Sequence, residues 1–190
     1  MTAIVPALEA ARTAVIAMDY QPAVVAMVAA SGELLPRVAG VLAAARAANL
    51  AVFHVAVGFR PGLPEVSPRN QSFSALKAGS IDLGKPEPHP AVAALADEAV
   101  VVKHRVGAFF ATDLDMLLRA RDIHTLVLFG LTTSGVVLST VRHASDADYR
   151  LIVIGDCCAD RDQAVHRCLL DQVFPRQAQV IDAQSFIAGL

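Results

Sequence analysis

Five short apolar runs constrain this chain more than any other feature: TAVIAMD (13–19), LAVFHVAV (50–57), AVVVK (99–103), TLVLFG (125–130) and RLIVIGD (150–156). Each is rich in Val, Ile or Leu and nearly continuous, whereas a strand with one wet face alternates apolar and polar residues. Continuous runs of this length suit strands buried on both faces of a parallel sheet. A sixth, weaker run is AQVID (178–182). Helix-like segments lie between the runs. Residues 36–49 open on Pro36, a favoured first helical residue, and repeat apolar positions at helical spacing. Residues 112–122 offer Thr112 as an N-cap, with Asp113 and Asp115 in the first turn, where the helix dipole favours anions. Residues 134–148 and 162–174 complete the alternation. Strand and helix in turn imply right-handed crossovers and a sheet covered on both faces. The expected fold class is therefore α/β: a three-layer α/β/α sandwich with a six-stranded parallel sheet, Rossmann-like in outline.

One segment breaks the rhythm. Residues 58–90 hold six of the ten prolines and four of the eleven glycines, which predicts a long irregular loop of the kind that carries function. At 190 residues the chain fits one domain, 1–190, with enough length for a sizeable core. A net charge of −2 gives no electrostatic case for nucleic acid or an anionic membrane. No apolar run approaches the roughly 20 residues that span a bilayer. The N-terminal stretch lacks the order of a secretory leader. Three cysteines, Cys157, Cys158 and Cys168, make a poor disulfide framework, and no C-x-x-C pair suggests zinc. The chain is expected in the cytoplasm, acting on a small molecule. The Ala/Val-rich helices expected at 24–30 and 134–144 suggest apolar surface beyond what one sheet covers, hence a homo-oligomer, dimer or larger.

In open parallel sheets ligands sit beyond the carboxyl ends of the strands. Asp19, Arg60, Lys103, the loop Gly130–Gly135 and Asp156 fall there. Asp19 and Lys103 are opposite charges at the tips of strands that ought to be near each other. Position alone leaves open whether Asp19 is a partly buried functional carboxylate or a cap for the next helix. A Lys at a strand's end is usually a solvated edge, and position alone favours that reading for Lys103 over a partner for Asp19. The Gly130–Gly135 loop, at the start of a helix, offers backbone N–H groups to an anion. There is no G-x-G-x-x-G and no Walker lysine, so nucleotide binding has no support.

Taken together, AVIAMDYQ, VVKHRVGAFFATDLDMLLRARDIHTLVLFG and LTTSGVVLSTVRHASDADYRLIVIGDCCAD resemble the isochorismatase-like hydrolases, a superfamily that also holds nicotinamidases and N-carbamoylsarcosine amidases. The resemblance runs from about residue 13 to residue 182. It implies the isochorismatase-like fold and a triad of Asp, Lys and Cys. Asp19 and Lys103 fall on the first two positions, and Val136 stands where the family pattern G-x-x-T-x-x-C-V carries its cysteine. It further implies a non-proline cis bond at Thr132–Thr133, and a cavity to which Gln21, Arg60, Asn70, Phe73, Phe109, Thr132, Thr133 and Gly135 contribute. Within that cavity Arg60 is a natural partner for a substrate carboxylate, although it reads slightly better as a solvated loop charge, and Phe73 and Phe109 read equally as core. The nicotinamidase metal cluster has no counterpart in GFRPGLPEVSPRNQSF, so neither metal nor cofactor is expected. His143 and His166 read as helix-surface or interface residues.

Valine cannot attack a carbonyl, and Cys157 and Cys158 are more readily packing residues than substitutes. True isochorismatases resemble this chain in lacking that cysteine and cleave a vinyl ether by protonation, though their loop runs more like G-x-Y-A-H than GLTTSG. The expected function is a hydrolase acting without a Cys nucleophile, with Asp19 as general acid/base tuned by Lys103. The alternative is a catalytically degenerate member that binds a small ligand or a partner. An amidase or nicotinamidase-type hydrolase using a displaced cysteine stands third.

Overall fold

The computed structural model describes residues 8–28, 32–79 and 83–190. Every apolar run forms a strand: β1 Thr13–Met18, β2 Ala51–Val57, β3 Ala99–Lys103, β4 Thr125–Gly130, β5 Arg150–Ile154 and β6 Gln179–Ile181. All neighbours pair in parallel, in the order β3-β2-β1-β4-β5-β6. The order reverses between β1 and β4, the place where a doubly wound sheet opens a crevice beyond its carboxyl edge. The two central strands are buried at all six of their residues, as continuous apolar runs require.

Among the described residues there are seven α-helices: α1 Pro22–Met27, α2 Leu34–Ala47, α3 Gln71–Ala78, α4 Leu114–Ala120, α5 Leu138–Asp146, α6 Gln163–Cys168 and α7 Ala183–Ala188. Pro36 lies inside α2 rather than at its first position, and Asp113 takes the N-cap position of α4 that Thr112 was expected to hold. Thr112 still serves the helix start, because its hydroxyl accepts from the Leu114 N–H at 3.3 Å and donates to the Ala108 carbonyl at 2.6 Å. The helix expected over 24–30 is α1; residues 29 and 30 lie outside the described residues, as do the first seven, on which the leader reading bears.

Two expectations need correction. The segment 58–90 is not irregular throughout: α3 forms within it, capped by the Asn70 side chain, which accepts from the Phe73 N–H at 3.1 Å. And β3 is not buried on both faces. It is an edge strand, where Val101 and Lys103 point inward while Val100 and Val102 are exposed. With one neighbour and a partly open face, its continuous apolar run lacks the cover that the central strands enjoy.

The core centres on Ile16, Met18, Phe53, Leu126, Leu128 and Phe129, all fully buried. One polar island interrupts it. His54, buried on β2, approaches Glu98 at 3.2 Å, and Glu98 forms a two-pronged ion pair with Arg46 of α2 at 2.7 and 2.8 Å. Burial depresses the His54 pKa and holds the ring neutral despite the nearby carboxylate. Among the described residues no helix is long and apolar enough to cross a membrane.

The carboxyl edge of the sheet depends on the close approach of β4 to β1. A Cβ at Gly130 would stand 2.6 Å from the Met18 carbonyl oxygen, with backbone on the other side that cannot move away. Gly130→Ala should therefore lower the unfolding free energy by about 1–3 kcal/mol. Gly40→Ala, in the middle of α2 with nothing within 4 Å of its Cβ position, should raise it by roughly 0.5–1 kcal/mol. Urea denaturation of the two variants beside the wild type measures both.

Candidate active site

Asp19 follows the last residue of β1 with φ at 61°, a left-handed conformation that Asp tolerates better than most residues. Its N–H donates to the Val55 carbonyl at 2.8 Å, which keeps the backbone attached to β2 as the chain turns. Lys103 closes β3 opposite Val57. Since β2 lies between, the two backbones are separated by about twice the 4.8 Å strand spacing. The long lysine stem crosses that gap over the end of β2. Its Nζ meets Asp19 Oδ2 at 2.9 Å and donates to the Arg105 carbonyl at 3.1 Å. Both residues are buried, at 5% and 2% exposure.

Burial raises the Asp19 pKa, the Lys103 charge and hydrogen bond pull it back, and the balance leaves it at about 6 instead of 3.8. The other carboxylate oxygen, Oδ1, is buried without a hydrogen-bond partner. A buried orphan acceptor is costly, and such a group takes a donor when one is offered.

The loop after β4 lies beside this pair, because Met18 pairs with Gly130 and its carbonyl accepts from the Leu131 N–H at 3.0 Å. The cis peptide is Leu131–Thr132, one residue before the position expected. Residues Thr133–Val137 then form a π-helical turn that runs into α5. Three N–H groups of the loop are already used. That of Thr133 donates to Ala159 O at 3.0 Å, that of Ser134 to Asp160 Oδ2 at 2.6 Å, and that of Gly135 to Thr132 O at 3.2 Å. The expectation that this loop offers free backbone donors to an anion is thus corrected at these three positions. The buried Thr133 hydroxyl meets His166 Nδ1 on α6 at 2.8 Å. His166, expected on a helix surface or at an interface, therefore packs on the loop, and burial lowers its pKa. Its partner lies 33 residues away, and nothing in the local pattern signals it. Val136 is buried within the turn, while Gly135 faces Thr132 so closely that a Cβ would stand 2.8 Å from Oγ1.

The remaining candidates divide. Gln21, fully buried, clamps the end of β2: its Nε2 donates to the Val57 and Lys85 carbonyls at 2.9 and 3.1 Å, and its Oε1 accepts from the Val57 N–H at 2.8 Å. Arg60 is held by Glu65 at 2.5 Å with 75% of its side chain exposed. Asn70 is spent on the α3 cap. Phe73 packs edge-on against Phe59 in a small satellite cluster with Val57 and Val66. Phe109 stacks on His143 of α5 at 4.4 Å between ring centres. Asp156 is occupied by Arg37 at 3.1 Å and by the Ala183 N–H at 2.8 Å. Burial pushes the Cys158 thiol up to about 12 and the Cys157 thiol higher still, so neither supplies a thiolate near neutral pH. Among the described residues no group of three or more His, Cys, Asp or Glu is placed to hold a metal ion.

The sheet is that of a doubly wound α/β protein, with a buried carboxylate–ammonium pair at its carboxyl edge, where such folds bind ligands. Residues 13–185 match the isochorismatase domain, and the chain belongs to the isochorismatase family. It is 30% identical over 176 residues to the isochorismatase family protein YwoC of Bacillus subtilis, covering 93% of each chain. It is 31% identical over 218 aligned residues to the ureidoacrylate amidohydrolase RutB of Methylobacterium radiotolerans, covering 97% of this chain and 81% of that one. An isochorismatase family protein from Burkholderia thailandensis shares the architecture, with a TM-score of 0.83, 29% identity, and coverage of 97% of this chain and 98% of the other.

The raised pKa fixes the sign of a stability test. An acid whose pKa is higher in the fold than in the unfolded chain favours folding at low pH, and that contribution is lost as pH rises through about 6. Lys103→Met removes the one charge that opposes the loss. It should destabilise the protein by about 3–5 kcal/mol at pH 8, and by clearly less at pH 5, where Asp19 protonates. Denaturant unfolding of variant and wild type at the two pH values measures the difference.

Proposed function

We propose that the chain is a hydrolase that works without a cysteine nucleophile, with Asp19 as the proton-transferring group and Lys103 as the residue that tunes it. The observation that carries this reading is the asymmetry of the Asp19 carboxyl: Oδ2 is fixed by Lys103, and Oδ1 is buried and unpartnered. A pKa near 6 keeps a useful fraction protonated close to neutrality, which is what a general acid needs. Val136, at the position where the family resemblance expects the cysteine, has no nucleophilic atom, and the two buried thiols nearest in sequence to the strand ends are held protonated.

Vinyl-ether hydrolysis fits these groups. Protonated Asp19 gives its proton to the terminal carbon of a C=C–O unit, and the alkene electrons form the new C–H bond. The cation left at the ether carbon is an oxocarbenium ion. Water adds to that carbon and returns a proton to the Asp19 carboxylate. The resulting hemiketal collapses to a carbonyl and an alcohol. No step needs a covalent enzyme intermediate. The named amidohydrolase among the relatives makes an amide the competing substrate class. By the family's thiol route that chemistry would lack its nucleophile here. A second reading, a catalytically silent ligand-binding member, is favoured by the loop N–H groups already engaged within the protein.

A mass-spectrometric product screen with isochorismate and a panel of small amides, run for wild type and Asp19→Asn, separates these readings. Vinyl-ether turnover reduced about 100-fold or more by the substitution is the expected result. Its kcat/KM should be flat below pH 6 and fall tenfold per unit above it, since the acid must be protonated; an Asp19 acting as base would give the opposite slope. Amide turnover would sink the thiol-free reading. Ligand binding with no turnover of any substrate would leave the silent member.

Alkylation gives an independent check. Iodoacetamide should label Cys168, which is exposed, and spare the buried Cys157 and Cys158. Activity should survive the treatment; loss of activity with modification at residue 157 or 158 would point to a displaced nucleophile.

A further inference from the structure

The sheet ends in two edge strands, β3 and β6, and they differ in how they are guarded. β6 is three residues long, and a very short edge offers little to an incoming strand. β3 runs for five residues and pairs with β2 alone among the described residues. Proline, a bulge or a free charge on an edge deters further pairing, and β3 has none of them. Its register against β2 is unbroken from Ala99 to Lys103. Its one charge, Lys103, is already buried against Asp19, so an incoming strand strips no water from a free ammonium.

The ladder fixes which backbone groups are free. The Gly58 N–H donates to the Lys103 carbonyl at 3.0 Å, so the backbone of Lys103 faces β2, and that of Val101 with it. Alternation turns the N–H and C=O groups of Val100 and Val102 the other way, to the side where no strand pairs among the described residues. Their side chains are 38% and 36% exposed. Pro86 approaches Val102 beside Gly58 without closing it off. Leu95 and Val106, near the two ends of the strand, are exposed as well, whereas α1 and α5, the helices whose composition suggested an oligomer, expose no large apolar side chain. Charge follows the strand with opposite signs at its two ends. Asp97 and Glu98 precede β3, and His104 and Arg105 follow it. Glu98 is spent on Arg46, which leaves the exposed Asp97 as the acid of that end. A second β3 laid parallel would set acid beside acid and base beside base, which is destabilising; laid antiparallel it sets acid toward base.

We propose that the free edge of β3 is the contact surface for a second copy of this chain, and that two copies join as a two-fold dimer through antiparallel β3 strands centred on Val101. Val100 of each copy stands opposite Val102 of the other, and each such pair exchanges two backbone hydrogen bonds. The four valines meet on one face of the joined sheets. Val101 lies on the two-fold axis as a pair without hydrogen bonds, its Cα about 4.5 Å from its symmetry mate. Such an isologous contact uses up both β3 edges and closes at two copies. The carboxyl edges of the two sheets, with their Asp19–Lys103 pairs, then face opposite ways. The dimer stands independently of the activity proposed for Asp19.

Sedimentation velocity and cross-linking test the contact. Wild type should sediment as a dimer at about 50 μM. Val100→Pro removes an N–H that points away from β2, where an edge strand tolerates proline. It should stay folded by circular dichroism and weaken association about 100-fold or more. Asp97→Lys, a change at an exposed position, should weaken it about tenfold, an effect that shrinks in high salt. Disulfide formation reads the register. In a Cys168→Ser background, Val101→Cys should give a cross-linked dimer under mild oxidation. Val100→Cys and Val102→Cys should not, because their symmetry mates lie beyond the Cα separation of about 7 Å that a disulfide can bridge. A wild type that stays monomeric at that concentration overturns the proposal and leaves the edge to a foreign strand. A dimer that persists in folded Val100→Pro, or that fails to cross-link through position 101, overturns it by placing the contact on another surface or in another register.

Discussion

Two opposite charges buried at the end of a largely apolar sheet are the constraint around which the carboxyl edge of this protein is organised. Taking Asp19 and Lys103 out of water costs several kcal/mol per ion, and their attraction offsets this only with good geometry and further hydrogen bonds. Lys103 has both, through Asp19 Oδ2 and the Arg105 carbonyl. Asp19 has them on one oxygen only. The surrounding features serve the pair. Gln21 pins the exit of β2, over which the lysine stem passes. The left-handed turn at Asp19 ends β1 without losing its hydrogen bond to Val55. A hydrophobic pair of similar size would fill the same space at no electrostatic cost. The half-satisfied carboxyl is thus a cost to stability, one that the proton transfer proposed for Asp19 would explain.

Opposite this pair, the loop after β4 is made rigid by side chains from the next crossover. Asp160 takes the Ser134 N–H, Ala159 takes that of Thr133, and His166 meets the Thr133 hydroxyl. The isolated bridge between Leu131 and Ala159 extends the same contact by one more rung. A loop whose donors face inward cannot also turn those same donors toward a developing oxyanion, and oxyanion stabilisation is a dominant contribution to acyl transfer. Protonation of carbon needs no such donors, because charge then develops as a cation beside an ether oxygen.

Much of the architecture was legible in the sequence, since buried parallel strands write themselves as continuous apolar runs and all six were found within a residue or two of their ends. Legibility failed where the physics is not local. The run at β3 has the composition of a central strand, and only its place at the sheet edge leaves Val100 and Val102 exposed. The helix Gln71–Ala78 was hidden by the prolines and glycines around it, although its Asn70 cap was a readable start signal. At the site, strand ends suggested that Asp19 and Lys103 lie near each other, and the family resemblance assigned them as a pair. The engagement of His166 with Thr133, the neutralisation of Arg60 and the isolation of Arg105 had no such signal. Each depends on which side chain from a distant or neighbouring loop arrives first, and a linear pattern carries no record of that competition.

The competition also decides how the site handles charge. Glu65 lies within reach of two arginine-bearing segments. Its carboxylate goes to Arg60, while Arg105 receives only its backbone carbonyl. Arg60 is thereby neutralised before any ligand arrives, and Arg105 is left with backbone acceptors alone. Which of two arginines a single carboxylate takes is decided by the fold of the segment that carries it, not by the spacing of the charges along the chain.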